Sequence, residues 1–204
     1  MRITNRDREI LRFINEVGYC TTEQLGRWFS IKMRRLYKVM ERLIKAKLVM
    51  HERIYFNKPG IYFLTNQGAK FTSLPAIDKV SKGVFDHQLI MIDLILKLRN
   101  MYPDATWVSE RHLKYQKFLY GVGRFGHISD GIFIFPDDRK VAIEVELTLK
   151  AKHRLEKILR AYGGQLEISE VWYFCNEDVM RGVAALSAKR SFVKIYSLKG
   201  FLHG

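Results

Sequence analysis

Apolar residues recur at helical spacing in three stretches near the start of the chain. The pattern predicts helices over residues 5–17, 21–29 and 31–48, with Asn5, Thr22 and Ser30 as their N-caps. Two strand-like runs follow, over residues 49–56 and 60–65, and they are joined by the turn-forming residues 57–60. We therefore expect three helices and then a β-hairpin.

The third predicted helix has one apolar and one basic face. Its apolar stripe comprises Leu36, Met40, Leu43, Ile44 and Leu48, and its basic face carries Lys32, Arg34, Arg35, Lys38 and Arg42. With Lys58 in the hairpin turn, this order predicts a winged helix-turn-helix domain over residues 1–70 that binds double-stranded DNA. The alternative is a small helical interaction domain whose basic face is merely solvated.

The rest of the chain predicts a linker and an α/β domain. Periodicity is lost over residues 71–84, and residues 85–204 alternate between helical and strand-like patterns. The expected helices cover residues 85–102, 151–162 and 177–190, and the expected strands cover residues 106–113, 127–136, 141–150, 171–176 and 192–198. Residues 114–126 are expected to form a loop or an irregular hairpin. Helices and strands in this order indicate a layered α/β sheet.

Residues 141–150 alternate strictly, with large apolar side chains at the odd positions. This predicts a strand with one buried face, from whose other face Glu144, Glu146 and Lys150 emerge. Asp130 lies near the start of the preceding strand, which a tight turn joins to this one, so antiparallel pairing in the right register brings Asp130 close to Glu144. Together these carboxylates would supply the hard oxygen ligands that Mg²⁺ or Mn²⁺ prefers.

The candidate catalytic residues are Asp130, Glu144, Glu146, Lys150 and Glu110, and the candidate metal ligands are Asp130 and Glu144. On a phosphodiester, the metal would polarise a phosphoryl oxygen, and the ammonium of Lys150 or Lys157 would stabilise the developing charge. The alternative is ordinary alternating charge on an open strand face, with Glu146 and Lys150 as a surface pair.

Composition favours a polyanionic partner. The 204 residues include 35 Lys and Arg against 21 Asp and Glu, a net charge of +14, and the first 80 residues are the more basic part. Two cysteines without a CxxC spacing offer no zinc framework. No signal peptide or membrane-length apolar run is recognised, so we expect a cytoplasmic protein with no membrane partner.

The order of elements and the Asp…Glu spacing resemble the PD-(D/E)xK nuclease fold. More narrowly, the chain resembles the plasmid replication-relaxation family, in which a winged helix precedes a PD-(D/E)xK-like domain and some members are MobC-type mobilisation relaxases. The resembling segments are residues 85–87, 107–110, 129–131 and 143–146 and the helix that ends at Tyr162. Ser129 stands where the fold usually has proline, and Glu146 stands where it usually has lysine.

The resemblance implies an α/β (overall α+β) protein, with a winged helix-turn-helix followed by a restriction-endonuclease-like domain. It implies a nickase that cuts DNA at a plasmid transfer or replication origin with Mg²⁺ or Mn²⁺. Relaxosome or coupling proteins are candidate further partners, and a homodimer is a candidate assembly. The competing hypothesis is a non-catalytic DNA-binding regulator or relaxosome accessory protein with a degenerate nuclease fold.

Overall fold

The computed structural model describes residues 3–119 and 127–203, and it shows a mixed α/β protein. Contacts between residues divide the chain into two units, Met1–Leu96 and Lys97–Gly204. Among the described helices, none combines the length and the apolar character that crossing a membrane requires.

The first unit contains the three predicted helices and a small antiparallel sheet. Its elements are α1 (Asn5–Val17), β1 (Tyr19–Thr21), α2 (Thr22–Phe29), α3 (Met33–Lys45), β2 (Val49–Glu52), β3 (Ile61–Leu64), α4 (Asn66–Ala69), a 3₁₀ turn (Lys82–Val84) and the first part of α5 (Phe85–Met101). The strands lie in the order β1-β3-β2. The predicted hairpin is therefore present, although its strands are shorter than the pattern indicated.

The helix caps differ from the predicted ones. Thr4 and Thr21 cap α1 and α2 through capping boxes, in which the backbone N–H of each cap residue donates to the side chain of Asp7 or Gln24. Each cap is one residue earlier than predicted. Ser30 does not cap α3, because it ends α2 in a left-handed conformation with φ 51°.

The apolar stripe of α3 is narrower than predicted. Leu36, Met40 and Leu43 are buried in the core of the first unit, and Leu48 joins them from beyond the helix end. Ile44 is 37% exposed. A helix turns 100° per residue, so position 44 has rotated away from the row that Leu36 begins.

The predicted boundaries (1–70, 71–84 and 85–204) differ from the observed division. Asn15 donates hydrogen bonds to Thr72 Oγ1 at 2.6 Å and to the Leu74 carbonyl at 2.5 Å, and Leu74 is buried. Phe85 and Ile92 also pack in cores of the first unit. The segment after residue 70 is therefore packed rather than free, and the boundary falls inside α5.

The second unit is built on a five-stranded sheet. Its elements are the end of α5, β4 (Thr106–Ser109), α6 (Glu110–Leu119), β5 (Gly131–Ile134), β6 (Lys140–Glu146), α7 (Lys152–Gly163), β7 (Glu170–Cys175), α8 (Glu177–Ser187), β8 (Val193–Ser197) and α9 (Leu198–His203). The strand order is β4-β5-β6-β7-β8; β4, β5 and β6 are antiparallel neighbours, whereas β6, β7 and β8 are parallel. Helices α7 and α8 connect the parallel strands, as such connections require.

Several predicted elements of the second unit differ in extent from the observed ones; among them, the strands expected over residues 127–136 and 141–150 are Gly131–Ile134 and Lys140–Glu146. The strand expected over residues 106–113 ends at Ser109, and a helix begins at Glu110. Residues 114–119, expected in a loop, continue that helix, and α9 was not predicted. The rest of the expected loop, residues 120–126, lies outside the described residues.

Strand β6 is buried on both faces, so the prediction of an open polar face was wrong. Every side chain from Val141 to Glu146 is buried. Ala142 lies in the same cluster as Leu155 and Leu159 of α7, which shows that the even-numbered face is covered by helices. Because β6 is a central strand of a helix-covered sheet, its carboxylates lie inside the unit.

Candidate functional site

Glu144 is the centre of a buried polar cluster. Its side chain is only 2% exposed. His127 Nε2 lies 2.7 Å from Glu144 Oε1, and the Tyr162 hydroxyl donates a hydrogen bond to the same oxygen. His127 comes shortly before β5 and Tyr162 from the last turn of α7, so residues distant in sequence hold one carboxylate oxygen from two sides.

Asp130 is fixed against the same strand end. Its N–H donates to the Ile143 carbonyl at 3.1 Å, and its Oδ2 accepts a hydrogen bond from the Val145 N–H at 2.8 Å. The Asp130 carboxylate is therefore turned toward β6, next to Glu144. The structure brings together the two residues that the sequence predicted as metal ligands.

Burial and charge make this cluster electrostatically unusual. Burial raises the pKa of Glu144, and the negative charge of Asp130 raises it further, whereas the hydrogen bonds from His127 and Tyr162 lower it; the net pKa lies above the ordinary value. Burial and the neighbouring Glu144 also raise the pKa of Tyr162. A perturbed carboxyl beside a second carboxylate is typical of functional sites.

A second buried tyrosine borders the cluster. Tyr173 of β7 is the direct partner of Glu144 in the parallel register. Its hydroxyl is buried and has no hydrogen-bond partner within the described part of the chain. A buried hydroxyl without a hydrogen-bond partner costs free energy. Tyr173 Oη can therefore gain a hydrogen bond from a further polar group at the site.

Lys150 lies next to the remaining carboxylate of β6. The strand ends at Glu146, so Lys150 is not on the strand, contrary to the prediction. It reaches back from the following segment, and its ammonium forms an ion pair with the buried Glu146. Lys157, the alternative, lies on the exposed face of α7. Of the two lysines considered, Lys150 is therefore the one beside the acidic end of β6.

Glu110 does not join the cluster with its side chain. It starts α6, where an acidic residue is favoured by the helix dipole, and its carboxylate pairs with Lys114 Nζ at 2.6 Å. Only its N–H, which donates to the Asp130 carbonyl at 3.2 Å, connects it to the site. The prediction that Glu110 is a strand residue of the catalytic set was wrong in that respect.

The predicted DNA-binding residues of the first unit separate into two groups. Four of them are exposed along α3 and its start and form no ion pair within residues 3–119 and 127–203; they are Lys32, Arg34, Arg35 and Lys38. Arg42 instead pairs with the buried Asp7 at 2.5 Å, and Lys58 pairs with Asp86 at 2.9 Å. Arg42 thus has a structural role as the partner of Asp7, and the charge of Lys58 is partly neutralised by Asp86.

Two residues of the cluster were not predicted from the sequence. Tyr162 was named there only as the end of a helix, and His127 was assigned no role. The helical stripe formed by Leu155, Ile158, Leu159 and Tyr162 ends in a residue with a polar tip, and that was the available clue. His127 gave no periodic clue, because it lies outside any regular element.

The residues present fit some metals better than others. No group of three or more His, Cys, Asp or Glu side chains that could hold a metal occurs in the described part of the chain. Asp130 and Glu144 nevertheless offer two carboxylates, and both hydrogen bonds to Glu144 end on Oε1. Mg²⁺ is commonly held by one or two carboxylates and completes its shell with water and substrate phosphates. Carboxylate oxygens are the donor type that Mg²⁺ and Mn²⁺ prefer, whereas a structural zinc ion takes four ligands, mostly Cys and His, which this pair does not supply.

Comparison of the chain with protein-family models, with curated proteins and with solved structures found no match.

Proposed function

We propose that this protein is a DNA-binding, metal-dependent endonuclease that nicks DNA at a plasmid transfer or replication origin, as the resemblance to mobilisation relaxases implies. In this proposal the first unit is a winged helix that selects the site, and the second is a PD-(D/E)xK-like nuclease domain. The observation that carries the proposal is the buried Glu144 carboxylate beside Asp130, with a lysine at the same strand end.

Burial is the reason to assign chemistry to this cluster. An ionised carboxylate inside a protein costs free energy unless it is paired or binds a metal. Glu144 is near a second acid, and its two hydrogen-bonding neighbours do not cancel the rise in its pKa. A purely structural role would be served at least as well by an apolar side chain of similar size.

The residues have separable roles in this proposal. Asp130 and Glu144 would hold Mg²⁺ or Mn²⁺, and the metal would polarise a phosphoryl oxygen and lower the pKa of an attacking water. Tyr162 and His127 fix Oε1 of Glu144, which orients the carboxylate. Glu146 holds the Lys150 ammonium at the strand end, where its positive charge would stabilise charge that develops on the phosphate.

DNA binding is assigned to the exposed basic face of α3. Lys32, Arg34, Arg35 and Lys38 point into solvent, and Tyr37 is exposed among them. A helix with cations and a polar aromatic near its N-terminal half suits phosphate and base-edge contacts in a major groove.

The proposal is tested by incubating the purified protein with supercoiled plasmids that carry candidate transfer and replication origins, with Mn²⁺, with Mg²⁺ and with EDTA. We expect open circular product with either metal and none with EDTA. A parallel gel-shift assay measures binding. A wild-type protein that binds these plasmids tightly and cuts none of them would refute the enzymatic proposal.

A second candidate function is a non-catalytic DNA-binding regulator or relaxosome accessory protein. The ion pair between Lys150 and Glu146 favours it, because a neutralised ammonium is a weaker electrostatic catalyst. The two candidates differ in metal dependence, since a regulator would bind DNA equally well in EDTA and would leave the plasmid intact.

A further inference from the structure

We infer that the loop between β2 and β3 inserts Phe56 between base pairs of the bound DNA. This inference rests on the proposed DNA binding of the first unit, and it adds an intercalating contact that α3 does not provide. Phe56 is 95% exposed, which makes it, with Leu166, the most exposed large apolar side chain of the described residues.

The loop backbone just before Phe56 is held by packing. The two residues before it, Ile54 and Tyr55, pack against a core cluster that contains Phe85. The Tyr55 ring meets the Phe85 ring edge-on with centroids 5.2 Å apart, and the Tyr55 hydroxyl donates to the Lys82 carbonyl at 3.3 Å.

The loop is also fixed on the other side of Phe56. Lys58 Nζ lies 2.9 Å from Asp86 Oδ1, at the start of α5. With contacts at Tyr55 and Lys58, the loop backbone that carries Phe56 is held on both sides, and the Phe56 ring is exposed. A loop backbone that is already ordered loses less conformational entropy on binding.

The charge around Phe56 matches a nucleic acid. Residues 53–60 include Arg53 and Lys58 and no acidic residue; Arg53 is exposed, whereas Lys58 pairs with Asp86. Proteins that bend DNA place apolar wedges, among them phenylalanine, between base steps while neighbouring cations bind the phosphates. The exposed Arg53 cation beside the apolar ring matches a phosphate backbone, so duplex DNA is the partner we favour.

The test compares Phe56→Ala and Phe56→Leu with the wild type on a duplex that the wild type binds. Phe56→Ala should weaken binding by roughly tenfold, as expected when one aromatic ring that stacks on a base is removed. The salt dependence of binding should stay unchanged, because every cation that binds a phosphate is still present. Phe56→Leu keeps an apolar wedge and should retain most of the affinity.

Two further readouts separate intercalation from a general surface effect. 2-Aminopurine placed at successive steps of the duplex should brighten at one step with the wild type and at none with Phe56→Ala. Leu166→Ala, which removes an equally exposed apolar side chain from the second unit, should change neither readout. Circular dichroism and thermal unfolding should match the wild type for each variant.

The outcomes are distinguishable. Unchanged affinity and 2-aminopurine fluorescence in Phe56→Ala, with binding abolished in α3 variants, would overturn this inference and leave the proposed DNA binding intact. A wild type that binds no DNA would overturn both. Dissociation of a homodimer in sedimentation of Phe56→Ala, with unchanged DNA binding, would show that the occupant is a second copy and would also overturn the inference.

Discussion

The charges on the basic face of α3 are exposed to solvent, whereas those of the acidic cluster at the end of β6, Glu144 and Glu146, are buried. Exposed charges are hydrated and screened, so they cost little and act collectively on a polyanion. Buried carboxylates are costly and persist only where specific neighbours hold them. The first arrangement suits binding, and the second suits chemistry on a bound phosphate.

The largest expected effect comes from removing the carboxylates. Asp130→Ala and Glu144→Ala should each abolish plasmid nicking and weaken Mn²⁺ binding, because each removes one of the two protein ligands that we propose. Mn²⁺ affinity is measured by electron paramagnetic resonance of the free ion, and nicking on agarose gels. Glu110→Ala is the matched control, since the Glu110 carboxylate pairs with Lys114 outside the cluster. Equal Mn²⁺ affinity in all variants would remove the metal from this site.

The next effect concerns the exposed cations. The triple variant Arg34→Ala, Arg35→Ala, Lys38→Ala should weaken DNA binding by roughly tenfold or more. The slope of log affinity against log salt should fall by about 0.9 for each phosphate that is no longer neutralised by a cation. Fluorescence anisotropy titrations at several salt concentrations measure both quantities.

The charge-matched control for that titration is Arg181→Ala, Lys189→Ala, Lys199→Ala, which removes three exposed cations from the second unit. If the control weakens binding as much as the α3 variant does, net charge and not the α3 face accounts for the affinity.

A smaller effect, on the free energy of unfolding, distinguishes Arg42 from its neighbours on α3. Burial raises the pKa of Asp7, but hydrogen bonds from Thr4 and the guanidinium of Arg42 outweigh it, so the net pKa lies below the ordinary value. Arg42→Met leaves this buried carboxylate without its cation and should lower the free energy of unfolding by about 1–3 kcal/mol, a figure reduced for the partial exposure of Arg42.

The pH dependence of that destabilisation follows from the sign of the shift. A lowered pKa stabilises the fold above the ordinary value of 3.8, and this stabilisation disappears as the pH falls through the folded-state pKa. The deficit of Arg42→Met in urea unfolding should therefore shrink in acid. Lys38→Met, one turn earlier and exposed, should keep wild-type stability at every pH; a matching deficit there would contradict the assignment.

The smallest effect is a gain in stability from Glu144→Gln. The raised pKa of Glu144 means that the fold favours the neutral carboxyl, so ionisation above the ordinary value of 4.5 costs folding free energy. Glu144→Gln should unfold at a higher temperature than the wild type at neutral pH, and the difference should disappear below pH 4.5.

Each kcal/mol gained shifts Tm by about 2–4 °C in a chain of this size, and calorimetry at several pH values measures the shift. Glu110→Gln, whose side chain is partly exposed, should show no such pH-dependent gain. A destabilised Glu144→Gln at neutral pH would show that the carboxylate is structural.

Local pattern predicted most of the helices and strands and the residues of the acidic pair. Strict alternation predicted β6 and the position of Glu144 on it. The turn between β5 and β6 predicted that Asp130, just before β5, lies close to Glu144. The pattern could not show that α7 covers the even-numbered face, because that burial depends on a helix that follows the strand. The same tertiary packing explains why Tyr162, His127 and the choice between Lys150 and Lys157 required the structure.

The boundary inside α5 also depends on packing. The apolar side chains of α5 follow one continuous helical pattern, and sequence alone does not show that Ile92 belongs to one core while later turns belong to the next unit. Likewise, Arg42 fits the basic face of α3 by spacing, and only its ion pair with Asp7 shows its structural role.

The most direct test of the division between binding and chemistry is the nicking rate at equal DNA occupancy. Plasmid is mixed with wild type, Glu144→Gln or the α3 triple variant, each at the concentration that binds the same fraction of DNA, and Mn²⁺ starts the reaction. We predict that the α3 variant nicks at the wild-type rate and that Glu144→Gln forms no open circular product. Nicking by Glu144→Gln at the wild-type rate would contradict the account.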